Sequence, residues 1–210
     1  VTLVGDASQL PPVGHGQPFH DLLKLRPDIT TTLSTCYRSQ EAVHKAATAI
    51  REGRAPAMAD RTEKESWKMI ETGNAENTTA RIVQWTKDGL LDFSQDIVLS
   101  PRYGVEDEND GGIDALNRAI IQIVNPHEAN QKWKVGDRII CCKNFSKIDM
   151  WNGDTGSVVE VDHKGLPFVK LDRRAEDIHL EREHEKELRH AYALSIHKAQ
   201  GSQFRRVVFV

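Results

Sequence analysis

The order of the predicted elements indicates an α/β fold that carries a separate antiparallel β region. Over residues 1–130, short apolar runs alternate with segments whose apolar residues recur at helical spacing, and this alternation is typical of a parallel sheet with flanking helices. After residue 130 the pattern changes to short strand-like runs, with turn sequences at Asn152-Gly153 and Lys164-Gly165 that are typical of hairpins. We therefore predict an α/β domain with an inserted small β-barrel of the SH3 type.

The elements of the α/β part are predicted from apolar spacing and from the residues that end helices. A helix over 41–51 places its apolar residues on one face and has Gly53 just past its end, where a glycine commonly stops a helix. A strongly amphipathic helix over 113–124 ends at Asn125, which precedes a proline. The other predicted elements here are strands over 1–4, 31–34, 96–100 and 206–210, a helix over 18–25, a polar loop over 54–76, and a helix that Asn77 caps and Gly89 ends.

The β region is predicted from short runs of strand-forming residues between turns. Strands are expected over 137–143, 156–162 and 167–171, as part of about five short strands in the barrel. Residues 172–188 are rich in charge. We predict that they form a solvated helix or a loop.

The composition indicates a globular protein of one large or two small domains. Of the 210 residues, 39% are hydrophobic and 28% are charged, as in ordinary soluble domains. No window approaches the ~18 consecutive apolar residues of a membrane span, and residues 1–4 have no basic flank of a signal peptide. We expect a cytoplasmic protein without a membrane partner. Because both ends fall within predicted strands, we also expect the chain to be cut through a sheet.

Cysteine usage and charge narrow the kinds of site that are possible. Cys36, Cys141 and Cys142 are too few and too badly spaced for a zinc site or a disulfide framework, so no metal site is predicted. The net charge of −3 argues mildly against a uniformly basic, nucleic-acid-binding surface. Residues 188–210, however, contain four lysines and arginines and no acid. Any phosphate-facing surface is therefore local.

Two segments near the start of the chain carry side chains suited to phosphate. Residues 4–14 form a glycine turn after a predicted strand and include Asp6 and Gln9, and the neutral Gln9 amide can donate to a phosphate oxygen. In residues 33–39, Tyr37 precedes Arg38, whose guanidinium matches phosphate oxygens. Each segment also has a simpler interpretation. The first would be a proline-stiffened turn, and the arginine would form a surface ion pair.

Two further segments place polar residues where predicted strands end. The strand over 96–100 is followed by Pro101 and Arg102, and residues 191–204 contain Ser195, His197 and Lys198. Short polar side chains at a strand end can hold phosphates of a nucleic-acid backbone. Taken one at a time, these residues are more often structural or solvated.

In family order, these segments resemble motifs of the superfamily 1B DNA helicases of the RecD-like and Dda-like type. Residues 4–14 resemble motif III, 33–39 resemble motif IV, and 191–204 resemble motif V of the UvrD-like helicase C-terminal region. The resemblance also covers residues 97–126 and the predicted barrel. It implies a RecA-like motor fold of the P-loop NTPase class, with ATP and Mg²⁺ as cofactors.

The resemblance assigns roles to individual residues of this chain. Gln9 and Arg38 would read the γ-phosphate of ATP and act in catalysis. The implied nucleotide-binding residues are Asp6, Gln9, Tyr37, Arg38, Gly201 and Gln203, with Gln203 standing where the family often has glutamate. The implied DNA-binding residues are Pro101, Arg102, Ser195, His197 and Lys198. A helix that begins beyond Gly201 is expected to offer its N-terminus to an anion.

The resemblance also implies a domain layout and an activity. Residues 1–30 would end a first RecA-like domain, 31–130 would begin a second, 131–188 would form the inserted barrel with a charged connector, and 189–210 would return to the second domain. The whole protein would be a 5′→3′ DNA helicase that binds single-stranded DNA and duplex junctions, with the barrel open to a protein partner. The phosphate-binding lysine loop and the Mg²⁺ carboxylates do not occur in this sequence, so the 210 residues alone are expected to be inactive. Two alternatives stay open, a non-catalytic DNA-binding or docking module and an RNA-directed superfamily 1 helicase.

Overall fold

The computed structural model describes residues 1–11, 14–33, 41–57, 67–104 and 112–210. The chain divides into two compact units, Val1–Glu71 and Thr72–Val210. The described helices are α1 Pro18–Leu25, α2 Glu41–Arg51, α3 Ala75–Lys87, α4 Ile113–Val124, α5 Arg182–Glu185 and α6 Ile196–Ala199, with 3₁₀ turns at Pro27–Ile29 and Ser146–Ile148. The described strands are β1 Asp96–Leu99, β2 Arg138–Cys141, β3 Thr155–Val161, β4 Pro167–Leu171, β5 Asp177–His179, β6 Leu188–His190, β7 Ala193–Leu194 and β8 Arg206–Phe209.

The first unit contains α1 and α2, and both predicted helices are confirmed. Pro18 occupies the start of α1, where its missing N–H costs nothing because that group has no partner within a helix. At the end of α2, the Gly53 N–H donates to Ile50 O at 3.0 Å and the Arg54 N–H donates to Ala49 O at 2.8 Å. Gly53 has a φ of 71°, so this glycine ends the helix as predicted.

The two strands predicted in the first unit are not formed. Residues 1–4 and 31–33 have no regular secondary structure and are exposed, and residue 34 lies outside the described part of the chain. A strand exists only where its backbone groups pair with a neighbour. Among the described residues neither segment has such a partner, so apolar composition alone was misleading here.

The second unit contains a parallel sheet in the order β7-β1-β8, which confirms the predicted α/β architecture. Helices α3 and α4 pack with it around a core that includes Ile82, Leu116 and Ile120. The cap of α3 differs from the prediction by three residues, because Asn74 is the N-cap and its side chain accepts a 2.8 Å hydrogen bond from Asn77 N. Both asparagines suit a cap by type, and the backbone geometry selects Asn74.

A five-stranded antiparallel sheet lies in the sequence between α4 and β7, in the order β5-β4-β3-β2-β6. Its own core includes Trp133, Met150, Val169 and Leu180. The sheet is open, since β5 and β6 are its two edges in the described pairings, and a closed barrel of the predicted kind is not observed. Closure would require those two edge strands, of only three residues each, to pair with each other.

The charge-rich residues 172–188 form ordered structure where a solvated helix or loop was predicted. They contain β5, α5 and the first residue of β6. In β5, Ile178 is buried while Asp177 and His179 on either side are exposed, and Leu180 beyond them is buried. This period of two is the signature of a half-buried strand. The high charge belongs to its solvent face.

Strand β2 connects the cores of the two sheets. Ile139 and Cys141 point into the core of the antiparallel sheet, whereas Ile140 packs with Ile97 and Leu194 of the parallel sheet. Successive side chains of a strand point to opposite faces, so one strand is buried on both sides. Burial also raises the pKa of the Cys141 thiol, and the two adjacent cysteines face different cores, as expected for structural thiols.

An ion pair links the beginnings of β1 and β8. The Asp96 carboxylate is buried and accepts from Arg205 Nε at 3.0 Å and Nη2 at 2.7 Å. It also accepts from Asp92 N at 2.8 Å. Burial by itself favours the neutral acid, but these hydrogen bonds outweigh it and leave the pKa of Asp96 below its usual range.

None of the described helices is long and apolar enough to cross a membrane.

Candidate functional site

Ser195 lies directly after β7, at the carboxyl end of the parallel sheet. Its buried hydroxyl accepts a 3.3 Å hydrogen bond from Lys198 N, which makes Ser195 the N-cap of α6. The same oxygen accepts from the Tyr103 hydroxyl at 3.1 Å. Tyr103 follows β1, so side chains from beyond two neighbouring strands meet at one point. This is the edge of an open α/β sheet where ligands usually bind.

Asn117 of α4 holds β7 in place. Its Nδ2 donates to Ala193 O at 3.0 Å, and its Oδ1 accepts from Tyr192 N and Ala193 N, each at 2.9 Å. Because β7 is an edge strand of its sheet, these groups would otherwise lack a strand partner. Asn117 is therefore a positioning residue for Ser195. Sequence analysis described α4 only as an amphipathic helix and did not single out Asn117, although a lone polar residue on its apolar face could have revealed it.

A cavity of about 660 Å³ opens beside Ser195, where the two sheets of the second unit meet. Tyr103, Asn117 and Ser195 line it, together with residues of β6 and β7. Among its described lining residues, the acid is Asp114 and the bases are Arg118, Lys132, Arg189 and Lys198. The cavity is therefore basic in a chain whose net charge is −3.

The four bases differ in how far their charge is already compensated. Lys132 forms an ion pair with Glu185, and Lys198 donates to the neutral Asn152 side chain. Arg189 donates to Lys186 O and Leu188 O, both at 2.7 Å. Within the described part of the chain, neither Arg118 nor Arg189 pairs with a carboxylate. Their charges are available to an anion.

The structure brings only some of the predicted DNA-binding residues together. Ser195 and Lys198 share the cavity, while His197 is exposed on α6 and does not line it. Pro101 and Arg102 are exposed beyond β1, where the Arg102 carbonyl accepts from Ile113 N at 3.0 Å. These two residues also lie outside the lining.

The predicted nucleotide-facing residues of the first unit form a compact turn. The Asp6 carboxylate accepts from Ser8 N at 2.8 Å, and Gln9 Nε2 donates to the other carboxylate oxygen at 3.5 Å. Asp6 thus orients the turn, in the manner of an Asx-turn. At Gly5, a Cβ atom would lie 2.9 Å from the ring of Phe19, so a larger residue there would require this ring to shift. Tyr37 and Arg38 lie outside the described residues.

Gly201 does not precede a helix, so the predicted anion-binding helix N-terminus beyond it is wrong. Gly201 has a φ of 86° and follows α6, and Ser202 N donates to Ala199 O at 3.1 Å. A glycine with positive φ just after a helix ends that helix. Irregular backbone then leads to β8, and Gly201 and Gln203 are both exposed.

Comparison with known proteins gives consistent relationships. The model of the AAA domain family matches residues 1–95. The whole chain aligns at 28% identity with 28% of the ATP-dependent RecD2 DNA helicase of Deinococcus radiodurans. It aligns over 99% of its length, at 26% identity, with 19% of the conjugal transfer protein TraA of Agrobacterium fabrum.

One solved structure shares the fold over nearly the whole chain. The Pif1 helicase from Bacteroides, solved with ADP-AlF3 and single-stranded DNA, matches 98% of this chain and 54% of its own length, with a TM-score of 0.53 and 16% identity. The chain is therefore similar in sequence to the RecD2 DNA helicase and in fold to the Pif1 helicase. The chain spans less than a third of the length of either curated relative. Ser195, in the segment that resembles motif V, lines the basic cavity.

Proposed function

We propose that this chain forms part of the motor of an ATP-dependent DNA helicase and that the cavity beside Ser195 holds the backbone of single-stranded DNA. The supporting observation is that hydroxyl groups and uncompensated basic side chains converge at the carboxyl end of β7. Backbone recognition uses this combination, because cations supply affinity while short polar groups fix the register.

Arg189 is the strongest candidate for a phosphate contact. Its guanidinium is held by two backbone carbonyls, so little side-chain entropy remains to be lost on binding. Tyr103 is 59% exposed and anchored by Ser195. An exposed aromatic ring beside a basic groove can stack on a base without selecting its identity.

The residues that we propose to bind the nucleotide are Asp6, Gln9, Tyr37, Arg38, Gly201 and Gln203. The Asp6 turn fixes the backbone near Gln9, and the neutral Gln9 amide, which donates to the Asp6 carboxylate, is of a type suited to a phosphate oxygen or water. ATP with Mg²⁺ would supply the phosphoryl group that is hydrolysed. Arg38 and Tyr37 are included because residues 33–39 resemble motif IV.

The proposed layout is the one that the family resemblance implies. Residues 1–30 complete a first RecA-like domain, the segments 31–130 and 189–210 belong to a second, and 131–188 form an antiparallel β insertion that offers a surface to a protein partner. Movement is proposed to run 5′→3′ along single-stranded DNA towards duplex junctions. The expected polarity is that 5′-tailed duplexes are unwound and 3′-tailed duplexes are not.

Single-strand affinity of the complete protein, measured across a salt series, tests this proposal. Arg189→Ala should weaken binding and reduce the magnitude of the slope of log affinity against log salt by about 0.7, the value for one lost phosphate contact on a single strand. The double variant Ser195→Ala with His197→Ala should also weaken binding. ATP affinity without DNA should stay unchanged in both variants.

Lys170→Ala is the matched control, because Lys170 is an exposed base of β4 that does not line the cavity. It removes one positive charge and should leave the salt slope unchanged. If Arg189→Ala and Lys170→Ala behave alike, the cavity is not the DNA site. DNA binding without any DNA-stimulated ATP hydrolysis by the complete protein would favour a non-catalytic module instead.

A further inference from the structure

Three side chains suited to metal binding meet beside β2. The ligand atoms of His127, Asp137 and His190 all lie within 4.8 Å of one another. Asp137 is completely buried, and the histidine side chains are 10% and 21% exposed. The Asp137 oxygens lie 2.9 Å from His127 Nε2 and 3.4 Å from His190 Nε2.

The carboxylate at the centre of this cluster is held rigidly. Asp137 Oδ2 accepts from Lys134 N and Oδ1 accepts from Asn125 Nδ2, both at 2.8 Å. The His190 ring packs against the Trp133 ring, with 4.6 Å between ring centroids. The three groups are therefore positioned before any ligand arrives.

The hydrogen bonding of His127 calls for a cation between this ring and the carboxylate. His127 Nδ1 lies 3.1 Å from the carbonyl oxygen of Gln131. Because a carbonyl only accepts, Nδ1 must carry the hydrogen. A neutral ring then presents the Nε2 lone pair to Asp137 Oδ1 at 2.9 Å, which is repulsive unless a proton or a metal ion lies there.

His190 decides between a proton and a metal ion. Its Nε2 atom is buried and lies 3.4 Å from Asp137 Oδ2, an ion-pair contact that lacks good hydrogen-bond geometry. A proton on His127 satisfies that pair but leaves His190 Nε2 only a long contact with the carboxylate without a well-formed hydrogen bond, which is costly for a buried polar atom. A metal ion bound by both rings and the carboxylate satisfies all three groups.

We propose that His127 Nε2, His190 Nε2 and the Asp137 carboxylate bind one divalent transition-metal ion of the zinc class. Imidazole nitrogens and carboxylate oxygens bind Zn²⁺ at about 2.0–2.2 Å, which separates ligand atoms of a tetrahedral site by roughly 3.4 Å. The Asp137–His190 distance already has this value. The Asp137–His127 distance needs to open by about 0.5 Å. A carbonyl bond to the second ring nitrogen, as His127 has, is the usual support of a metal-binding histidine.

The ligands come from both points where the chain crosses between the two sheets of the second unit. His127 follows α4, Asp137 immediately precedes β2, and His190 ends β6. A bound ion would join these three segments and fasten the antiparallel sheet to the end of α4. Of the three ligands, His190 also lines the cavity beside Ser195, whereas His127 and Asp137 do not.

Metal binding to the complete, chelator-treated protein tests the site. Titration with Zn²⁺ should show one binding equivalent that His190→Asn and His127→Asn each weaken at least about tenfold. Co²⁺ bound there should give the visible absorption of a tetrahedral complex, and this absorption should disappear in both variants. Zn²⁺ should raise the melting temperature of the wild type more than that of either variant.

His179→Asn is the matched control, because His179 pairs with Asp162 at 3.2 Å and that pair has no third ligand among the described residues. It should retain the binding equivalent in full. The test uses the histidine variants in place of Asp137→Asn, because Asp137→Asn removes a fully buried carboxylate. Circular dichroism verifies that the histidine variants fold. Failure of the folded wild type to bind Zn²⁺ or Co²⁺, or equal binding by His190→Asn, overturns the proposal.

Discussion

At the scale of single residues, Asn117 shows how a side chain can replace a missing strand. Its amide bonds to three backbone groups of residues 192 and 193, where a neighbouring strand would otherwise bond. The adjacent Tyr192 is buried, and burial raises the pKa of its hydroxyl to about 12. The segment that delivers Ser195 to the cavity is therefore held by the Asn117 amide and by the protonated Tyr192 hydroxyl, which donates to the Asp137 carboxylate at 3.4 Å.

Asn117→Leu should lower the free energy of unfolding by about 2–4 kcal/mol, because it leaves buried backbone groups without partners at about 1–3 kcal/mol each. Chemical denaturation of the complete protein measures this loss. Gln122→Leu is the control, since Gln122 is exposed on the same helix, and it should change stability by less than about 0.5 kcal/mol. Equal effects of the two substitutions would contradict the role given to Asn117.

Arg38 lies outside the described residues, and its prediction rests on the resemblance to motif IV. A guanidinium at the γ-phosphate stabilises charge that develops in the transition state. Arg38→Lys keeps the charge but loses the planar fork. We expect it to remove most of an arginine contribution of about 10³–10⁵ in ATP turnover, measured in the complete protein with DNA. Single-strand affinity without nucleotide should stay the same. Wild-type turnover in this variant would refute the assignment of motif IV.

At the scale of elements, the antiparallel sheet depends on close contact between β3 and β4. Gly156 pairs with Ile139 on one side and with Leu171 on the other. A Cβ atom there would lie 2.2 Å from Lys170 O and 2.9 Å from Leu171 Cα. Since both are backbone atoms, no side-chain rotation can relieve the clash.

Gly156→Ala should therefore destabilise the protein by at least about 1–3 kcal/mol, the usual cost of forcing extra volume into a packed region. Thermal unfolding followed by circular dichroism measures it. Ser157→Ala, at the next position of β3, should stay within about 0.5 kcal/mol of the wild type. A melting temperature of Gly156→Ala equal to that of the wild type would show that β3 and β4 can separate without cost.

The elements that sequence analysis predicted best are those with explicit end signals. The ranges of α1, α2 and α4 agree with the structure because prolines, glycines and asparagines mark where each helix begins or ends. Strands β5 and β6 were missed because their charged residues obscured a two-residue alternation. Residues 1–4 show the opposite error, in which apolar residues were taken for a strand.

At the scale of the molecule, the ion pair of Asp96 and Arg205 couples stability to pH. The pKa of Asp96 is lowered in the folded state, so its contribution is present above its unfolded pKa of about 4 and is lost as the pH falls through the folded value. Asp96→Asn should cost about 1–3 kcal/mol at pH 7 and should reduce the loss of stability below pH ~4.

Denaturation curves between pH 7 and pH 2 test this expectation. Asp88→Asn is the control, because Asp88 is an exposed carboxylate at the end of α3. It should keep the acid dependence of the wild type. An unchanged acid dependence in Asp96→Asn would mean that other carboxylates dominate acid unfolding.

The sequence predicted which motifs contribute to the candidate site, but it did not predict how their residues are arranged in space. Ser195 and Lys198 were identified from the sequence, and both line the cavity. Arg118 and Asn117 were missed because helical spacing places them on α4 without showing which strand lies opposite. The histidines that face Asp137 lie 63 positions apart in the sequence, and only the folded chain brings them together.

The strands of the antiparallel sheet lie in the sequence between β1 and β7 of the parallel sheet. This insertion affects the order in which the two sheets form during folding. Pairing of Leu99 with Leu194 closes a loop of about 95 residues, an entropic cost that grows with the logarithm of loop length. When the antiparallel sheet forms first, Ile139 is already beside His190, and the loop still to be closed is roughly halved. That shortening favours closure by about 0.6 kcal/mol, or roughly threefold in rate. The parallel sheet is therefore expected to close last and to lose amide protection first in native-state hydrogen exchange.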